Sequence, residues 1–400
     1  MTHHLRQFFA NPVLRMVFWA TVLTGAMTAP VGTYQSLIAI REIGLSDSTF
    51  AAVLGLGLTV GTVVSLWVGV VTDQHPWRRR AGLGVATALC LGNTLMWVAP
   101  SALVFVFAHG VLLPMAVTLF GQLFALARLA ASGLPTADRD AAVANVRAFF
   151  AIPFIVVLPL WGWVIGTGAS LLAIYPAGAI LGAALVALFY FGWPDDRAAP
   201  WEDRKSGLTM RRSLAEVADP AVIGRVALIG MIHLGASTSG IILGLIFAQA
   251  NGRGTEDVAI FFGAFVAVEF TVMMMVASLR ARWRRLHIIT FGVALYALYL
   301  VGLPFLAGSP FVWVLIVPAG AGGAMIYSLA IGYLQDLLGA RAGAGSSLIA
   351  LQRTVAEGAA AVVFAVGSWA YGYTAVPIIA AVLSILAMAA IIRLDRSRKT

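Results

Sequence analysis

Four charged side chains lie deep inside otherwise apolar stretches of this chain: Arg147, Glu269, Arg353 and Glu357. An ionisable group at mid-helix in a membrane costs about 2.5–3.5 kcal/mol on insertion scales, so it is kept for function or neutralised by a partner. Arg353 and Glu357 are spaced i, i+4 and share one helix face, where they can pair. That spacing supports two readings equally. One is a self-neutralised packing pair; the other is a second proton site at Glu357, in which either partner can exchange with substrate hydroxyls. Arg147 lies eight residues beyond Arg139, roughly 12 Å from that helix end, and Glu269 lies ten residues before Leu279, roughly 15 Å in. Their depths nearly match.

These charges need elements to hold them, and the elements are membrane helices. The chain is 60% hydrophobic and only 11% charged, with a mean hydropathy of +0.92. A soluble domain is roughly 45–50% apolar. Twelve apolar runs, most long enough to cross a hydrocarbon core that needs about 20 helical residues, are expected near 13–40, 48–72, 81–100, 102–127, 140–166, 169–193, 221–249, 257–279, 286–307, 309–335, 342–370 and 373–393. They must be helices, because a spanning backbone has to satisfy its own hydrogen bonds. Of the 26 Lys and Arg residues, 22 fall in the tails and even-numbered gaps, while the odd-numbered gaps hold only Arg41 and Arg253. The positive-inside rule therefore makes both termini and the long central loop cytoplasmic. The net charge of +9 follows from that bias, so no nucleic-acid partner is expected.

Several other chemistries are excluded. Cys90 is alone, which rules out a disulfide or a cysteine metal site, and His3 and His4 at a frayed terminus do not make one. No metal and no cofactor are expected. There is no Walker-type phosphate loop, so direct ATP drive is not expected. The first apolar run is too long for a cleavable signal and is expected to remain as the first span. A membrane-surface transferase would need carboxylates or histidines clustered at one depth, and the loop acids are scattered among bases, so the chain does not read as an enzyme.

The two halves repeat. Asn11-Pro12 with Arg15 opens the first helix, and Asp219-Pro220 with Arg225 opens the seventh. Each supplies a capping side chain followed by proline in the first turn. Trp77-Arg78-Arg79 follows the second helix and Trp283-Arg284-Arg285 the eighth. The economical reading is a six-helix bundle over 1–193, a polar cytoplasmic linker over 194–220 and a second six-helix bundle over 221–400.

The loop after the second helix reads Gly69, then Asp73 four residues on, then Arg78, Arg79 and Arg80. It resembles the loop 2–3 signature of the major facilitator superfamily. Further strings resemble the sugar efflux transporter (SET) family: Gly121-Gln122-Leu123-Phe124 through Arg128, Gln335-Asp336-Leu337 followed by Gly339-Ala340-Arg341, Arg41-Glu42-Ile43-Gly44, Val146-Arg147-Ala148 and Glu269. The resemblance implies an all-α membrane protein with the major facilitator fold. It also implies export of saccharides or glycosides from the bacterial cytoplasm across the inner membrane, exchanged for protons. A multidrug or metabolite exporter on the same fold is the alternative. The chain departs from the family in helix seven, which has Leu243 where an acid is expected, and in helix eleven, whose Arg353 and Glu357 replace uncharged positions.

Residue roles follow from the resemblance. Gly69, Asp73, Arg79, Arg80, Arg128 and Asp336 would form a cytoplasmic latch, with a solvated turn as the plainer account. Leu279 stands where Asp73 would repeat, so a second latch is not expected. Helices five and eight face each other in the superfamily. Arg147 and Glu269 would then touch across the halves in one access state, and protonation of Glu269 would weaken that contact. Sugar recognition needs planar polar groups to bracket hydroxyls and aromatic faces to cover C–H surfaces. The candidates are Tyr34, Gln35, Gln122, Trp161, His233, Tyr327 and Gln352. Gln122 is balanced against a structural amide, and His233 reads first as a satisfied interhelical histidine. Gly55, Gly57 and Gly61, and then Gly320, Gly322 and Gly323, favour close packing, the second group with a bend in helix ten. Trp97 and Trp193 are expected at the membrane interfaces. The partners are the bilayer, protons and one small saccharide, with the chain acting as a monomer.

Overall fold

The computed structural model describes residues 8–134, 136–194, 220–338 and 345–397, apart from some side chains within helices. Among them, twelve helices are long and apolar enough to cross a membrane. They are α1 (Pro12–Leu37), α2 (Asp47–Gln74), α3 (Arg78–Val98), α4 (Ala102–Ala130), α5 (Thr136–Gly166), α6 (Ile174–Gly192), α7 (Pro220–Gln249), α8 (Thr255–Arg282), α9 (Arg285–Leu306), α10 (Ile316–Leu338), α11 (Gly345–Tyr371) and α12 (Ala375–Ser397). An even number of crossings puts residues 8 and 397 at one end of the molecule, here called the terminal end; the other is the distal end.

Helix starts follow from their capping residues. Asn11 Oδ1 accepts the amides of Val13 at 2.9 Å and Leu14 at 3.3 Å, with Pro12 in the first turn where its missing N–H is no loss. Ser46, Ser101, Ser170 and Ser309 do the same at the distal starts of α2 and α4 and of the short 3-10 turns that lead into α6 and α10. Gly44, with φ +77°, makes the reversal between α1 and α2.

Helix α4 is less regular than its even apolar run suggests. A π segment, Ala108–Leu112, runs into a 3-10 turn, Leu113–Met115, that contains Pro114. Proline has no N–H to donate, so the i→i−4 ladder breaks just before it and the backbone re-forms with other spacings. Helix α2 fits this irregular surface through glycine. A β-carbon at Gly57 would lie 3.0 Å from the His109 carbonyl oxygen, and one at Gly61 3.0 Å from that of Pro114.

Glycine also sets the packing of the second half. A β-carbon at Gly322 would meet the Gly292 oxygen at 2.7 Å, and one at Gly320 the Phe265 oxygen at 2.6 Å. These residues bring α8, α9 and α10 into backbone contact. This close packing lies within one continuous helix, Ile316–Leu338. Trp193 also differs from expectation. It is buried against Phe189 and the bare face of Gly82 and is no interface anchor, whereas Trp97 is half exposed.

Two apolar cores result. One joins residues of α1, α3, α4, α5 and α6, among them Leu14, Leu89, Leu123, Val146 and Phe189. The other fills the last six helices and continues into Tyr34, Phe50, Phe105, Leu158 and Ile174 at the distal end of the first six. The halves are therefore fused distally. Large exposed apolar residues such as Leu103, Phe191, Phe305 and Trp369 cover the outside, as a surface facing lipid requires.

Candidate functional site

Three adjoining cavities of about 200, 370 and 400 Å³ lie between the halves, and Gln35 of α1 and Arg353 of α11 line all three. Arg353 donates from Nε to Glu357 Oε1 one turn away. This is the pair the i, i+4 spacing predicts. The two side chains stay 49% and 33% exposed, so the pair is open to the cavity and is not sealed in a core. Around them stand Thr62, Ser65, Ser237, Tyr327 and Thr354, with Thr62 Oγ1 3.5 Å from Thr354 Oγ1 across the halves. The walls thus offer a guanidinium fork, a carboxylate, an amide and hydroxyls.

His109 lines two of these cavities from the π segment of α4. Its Nε2 is 2.8 Å from the Tyr175 hydroxyl and its ring stacks on Phe105 at 4.1 Å. Those contacts fix the ring, and the irregular helix turns it toward the space between the halves.

Glu269 of α8 points into its own half, toward α10. A β-carbon on Gly323 would lie 3.4 Å from Glu269 Cδ, so the carboxyl occupies the room that glycine leaves. Tyr327 is one helical turn further along α10, lines the 370 Å³ cavity and meets the buried His233 ring at 4.9 Å. The Arg147 side chain lies outside the described residues, so its contact with Glu269 has no geometry here. Helices α5 and α8 do pack face to face: β-carbons at Gly162 and Gly263 would meet the Glu256 oxygen at 3.0 Å and Pro159 at 2.9 Å.

Of the other expected ligands, Gln35 and Tyr327 line the cavity and the rest are engaged elsewhere. Gln122 is buried, accepting from Arg78 Nη1 at 3.3 Å and donating to Thr72 Oγ1 at 3.4 Å. It ties α2, α3 and α4 together, the structural alternative weighed above. Tyr34 is fully buried and donates to the Thr255 oxygen at 3.2 Å. His233 Nδ1 is 2.9 Å from the Ile229 oxygen, Gln352 is buried and Trp161 packs on the apolar core.

The expected latch is described only in part, because the side chains of Asp73 and Asp336 lie outside the described residues. A β-carbon at Gly69 meets nothing within 4 Å among the described residues. Arg79 sits over the Tyr190 ring at 5.8 Å, Arg80 over Trp77 at 5.9 Å, and Arg128 occupies the last turn of α4, where a cation suits the helix dipole.

Several contacts had no motif to announce them. Tyr373 donates to Asp47 Oδ1 at 2.7 Å, joining the last loop to the start of α2. Burial first, and then Asp47, raises the Tyr373 pKa well above its ordinary value, so the hydroxyl stays a donor. Arg41 Nη2 reaches the Ala248 oxygen at 3.3 Å across the halves. Arg253 donates to the Ala307 and Ser309 oxygens at 2.8 and 2.7 Å, lies 3.6 Å from Asp257 and covers Trp313. Arg41 and Arg253 are the two bases that the charge rule leaves unexplained, and both bind carbonyls at the distal end. That exception was the available signal. At the terminal end, Arg225, Asp395 and Tyr333 link α7, α12 and α10: the ion pair is 3.7 Å and the hydroxyl donates at 3.0 Å.

No family model matches the chain. It is 26% identical to a Deinococcus radiodurans protein named "Putative sugar efflux transporter", over 92% of this chain and 94% of that one. Among solved structures it is similar to the nucleoside transporter NupG, with TM-score 0.77 at 12% identity over 96% of this chain and 99% of that one. It is also similar to a POT peptide transporter in complex with sulfate, with TM-score 0.76 at 11% identity over 95% and 94%. The fold is that of the major facilitator transporters. With its twelve spans and this relative, the chain is a multi-pass membrane transporter and not an enzyme.

Proposed function

From that fold and relative, we propose that the chain exports sugars or glycosides from the bacterial cytoplasm across the inner membrane by alternating access, in exchange for protons. The observation that carries this reading is the open Arg353–Glu357 pair at the junction of the cavities between the halves. A guanidinium donates to a hydroxyl oxygen and a carboxylate accepts from a hydroxyl, so the pair can bracket neighbouring hydroxyls of one ring. The two charges cancel, which favours a neutral polyhydroxylated ligand over an ion. The relative's printed name supports the same class.

Export follows the relative's printed name, and the distal seal is compatible with loading from the opposite end. Tyr34, Arg41 and Tyr373 bridge the halves at the distal end. If the charge rule puts the termini in the cytoplasm, the outer side is the closed one and the cavity is loaded from inside. The working unit is one chain, with bundles 1–193 and 221–400 joined by the linker 194–220. Glu269 is the proton site, Arg147 its partner when α5 and α8 close, and Asp73 with the neighbouring bases and Asp336 the latch at the cytoplasmic end.

Binding tests the substrate class. Purified protein should bind labelled mono- or disaccharide, and Arg353→Gln or Glu357→Gln should weaken binding by about tenfold or more, the loss expected for a charged hydrogen bond. A protein indifferent to every saccharide but saturable by lipophilic cations would contradict the proposal in favour of a drug exporter.

A further inference from the structure

Glu269 and the Arg353–Glu357 pair lie on different helices, and antiport requires each to register the state of the other. Tyr327 stands between them. Gly323 and Tyr327 are one turn apart on the same face of α10, and helical side chains lean back toward the N-terminal turn. The Tyr327 side chain therefore leans over the bare surface of Gly323 that the Glu269 carboxyl occupies. The same residue is part of the 370 Å³ cavity wall beside Arg353, Glu357 and Ser237. Its ring is steadied edge-on by His233 of α7. Glu269, Arg353 and Glu357 all lie within electrostatic range of Tyr327, and Glu269 lies within that of Tyr296 of α9. On α5 the sequence supplies Arg147, whose side chain lies outside the described residues.

Resting on the proton-coupled export reading, we infer that the Tyr327 hydroxyl is the coupling residue that links occupancy of the saccharide cavity to protonation of Glu269. One O–H has one proton to donate. When a substrate hydroxyl donates to Tyr327 Oη, the phenolic O–H becomes a stronger donor toward Glu269, because chained hydrogen bonds polarise one another. A carboxylate accepts that bond better than a carboxylic acid, so substrate favours release of the Glu269 proton. Conversely, a protonated Glu269 has less use for the donor, and the phenol loses the polarisation that strengthens its grip on substrate. Proton and saccharide then exclude one another, as antiport demands.

The test is Tyr327→Phe in proteoliposomes, which keeps the ring against His233 and removes only the hydroxyl. Two quantities are read: saccharide exchange at equal pH on both sides, and accumulation driven by an imposed pH gradient. The expected result is some loss of exchange, from the missing substrate contact, with accumulation reduced about tenfold more than exchange, and saccharide affinity that no longer varies with pH between about 5 and 8, the size following from one lost charged hydrogen bond. Wild-type accumulation in Tyr327→Phe would overturn the inference. So would an equal loss of exchange and accumulation, which makes Tyr327 a simple ligand contact. Wild-type protein that exchanges saccharide but ignores the pH gradient would instead overturn the proton reading beneath it. If Tyr327→Phe fails to fold, Gly323→Ala serves. Its methyl makes an ordinary contact 3.4 Å from Glu269 Cδ, and by standing beside the carboxyl beneath Tyr327 should weaken their communication and lower accumulation while sparing exchange.

Discussion

Removing one member of the Arg353–Glu357 pair leaves the other charge uncompensated at mid-membrane, whereas removing both leaves none. Arg353→Gln and Glu357→Gln should therefore each lower the melting temperature in detergent more than the double variant does, while all three lose saccharide binding. A double variant no more stable than the singles would mean that the charges do not compensate one another. Glu269→Gln removes the titrating group but keeps its shape. Down-gradient movement should persist while accumulation against a gradient fails; pumping like wild type would remove Glu269 from the proton path. Gln122 separates a structural amide from a ligand. Its bonds go to Arg78 and Thr72, so Gln122→Ala should cost about 1–3 kcal/mol of stability by leaving Arg78 less satisfied, with saccharide affinity unchanged. A fall in affinity at constant stability would return Gln122 to the cavity.

At the scale of elements, the twelve helices were legible because each needs a long apolar run and the loops between them carry the charge. The Arg353–Glu357 bond was legible for a local reason too, since i, i+4 spacing brings the groups together whatever the tertiary fold. Gln122 and Trp193 were not. An amide or indole in an apolar helix looks the same whether it meets lipid, cavity or a neighbouring helix, and the choice depends on which faces pack. The π and 3-10 turns of α4 were hidden because the run is apolar on every side, so no periodicity betrays a change of spacing. Glycine clusters announced close packing but not its partner. That partner is now specific: a side chain at Gly322 would collide with backbone atoms of Gly292 and Tyr296. Gly322→Leu should cost about 1–3 kcal/mol or prevent assembly, read as a drop in melting temperature. Gly121→Ala, with no neighbour within 4 Å among the described residues, should leave it unchanged.

Taken as a whole, the molecule has its halves joined at the distal end and a polar cavity between them. A transporter that alternates must break the distal contacts and close the terminal end. Tyr373→Phe deletes one crossing bond and should move the balance toward distal opening several-fold, for about 1 kcal/mol of lost hydrogen bonding. Spin-label distances across the distal loops would report the shift, and an unchanged distribution would show that Tyr373 carries none of the seal. Coupled saccharide export should be visible as transport into everted membrane vesicles under an imposed pH gradient. Labelled saccharide should accumulate in vesicles holding this protein, and the accumulation should collapse when a proton carrier dissipates the gradient. Saccharide levels that match vesicles lacking the protein, or that do not respond to loss of the gradient, would contradict the account.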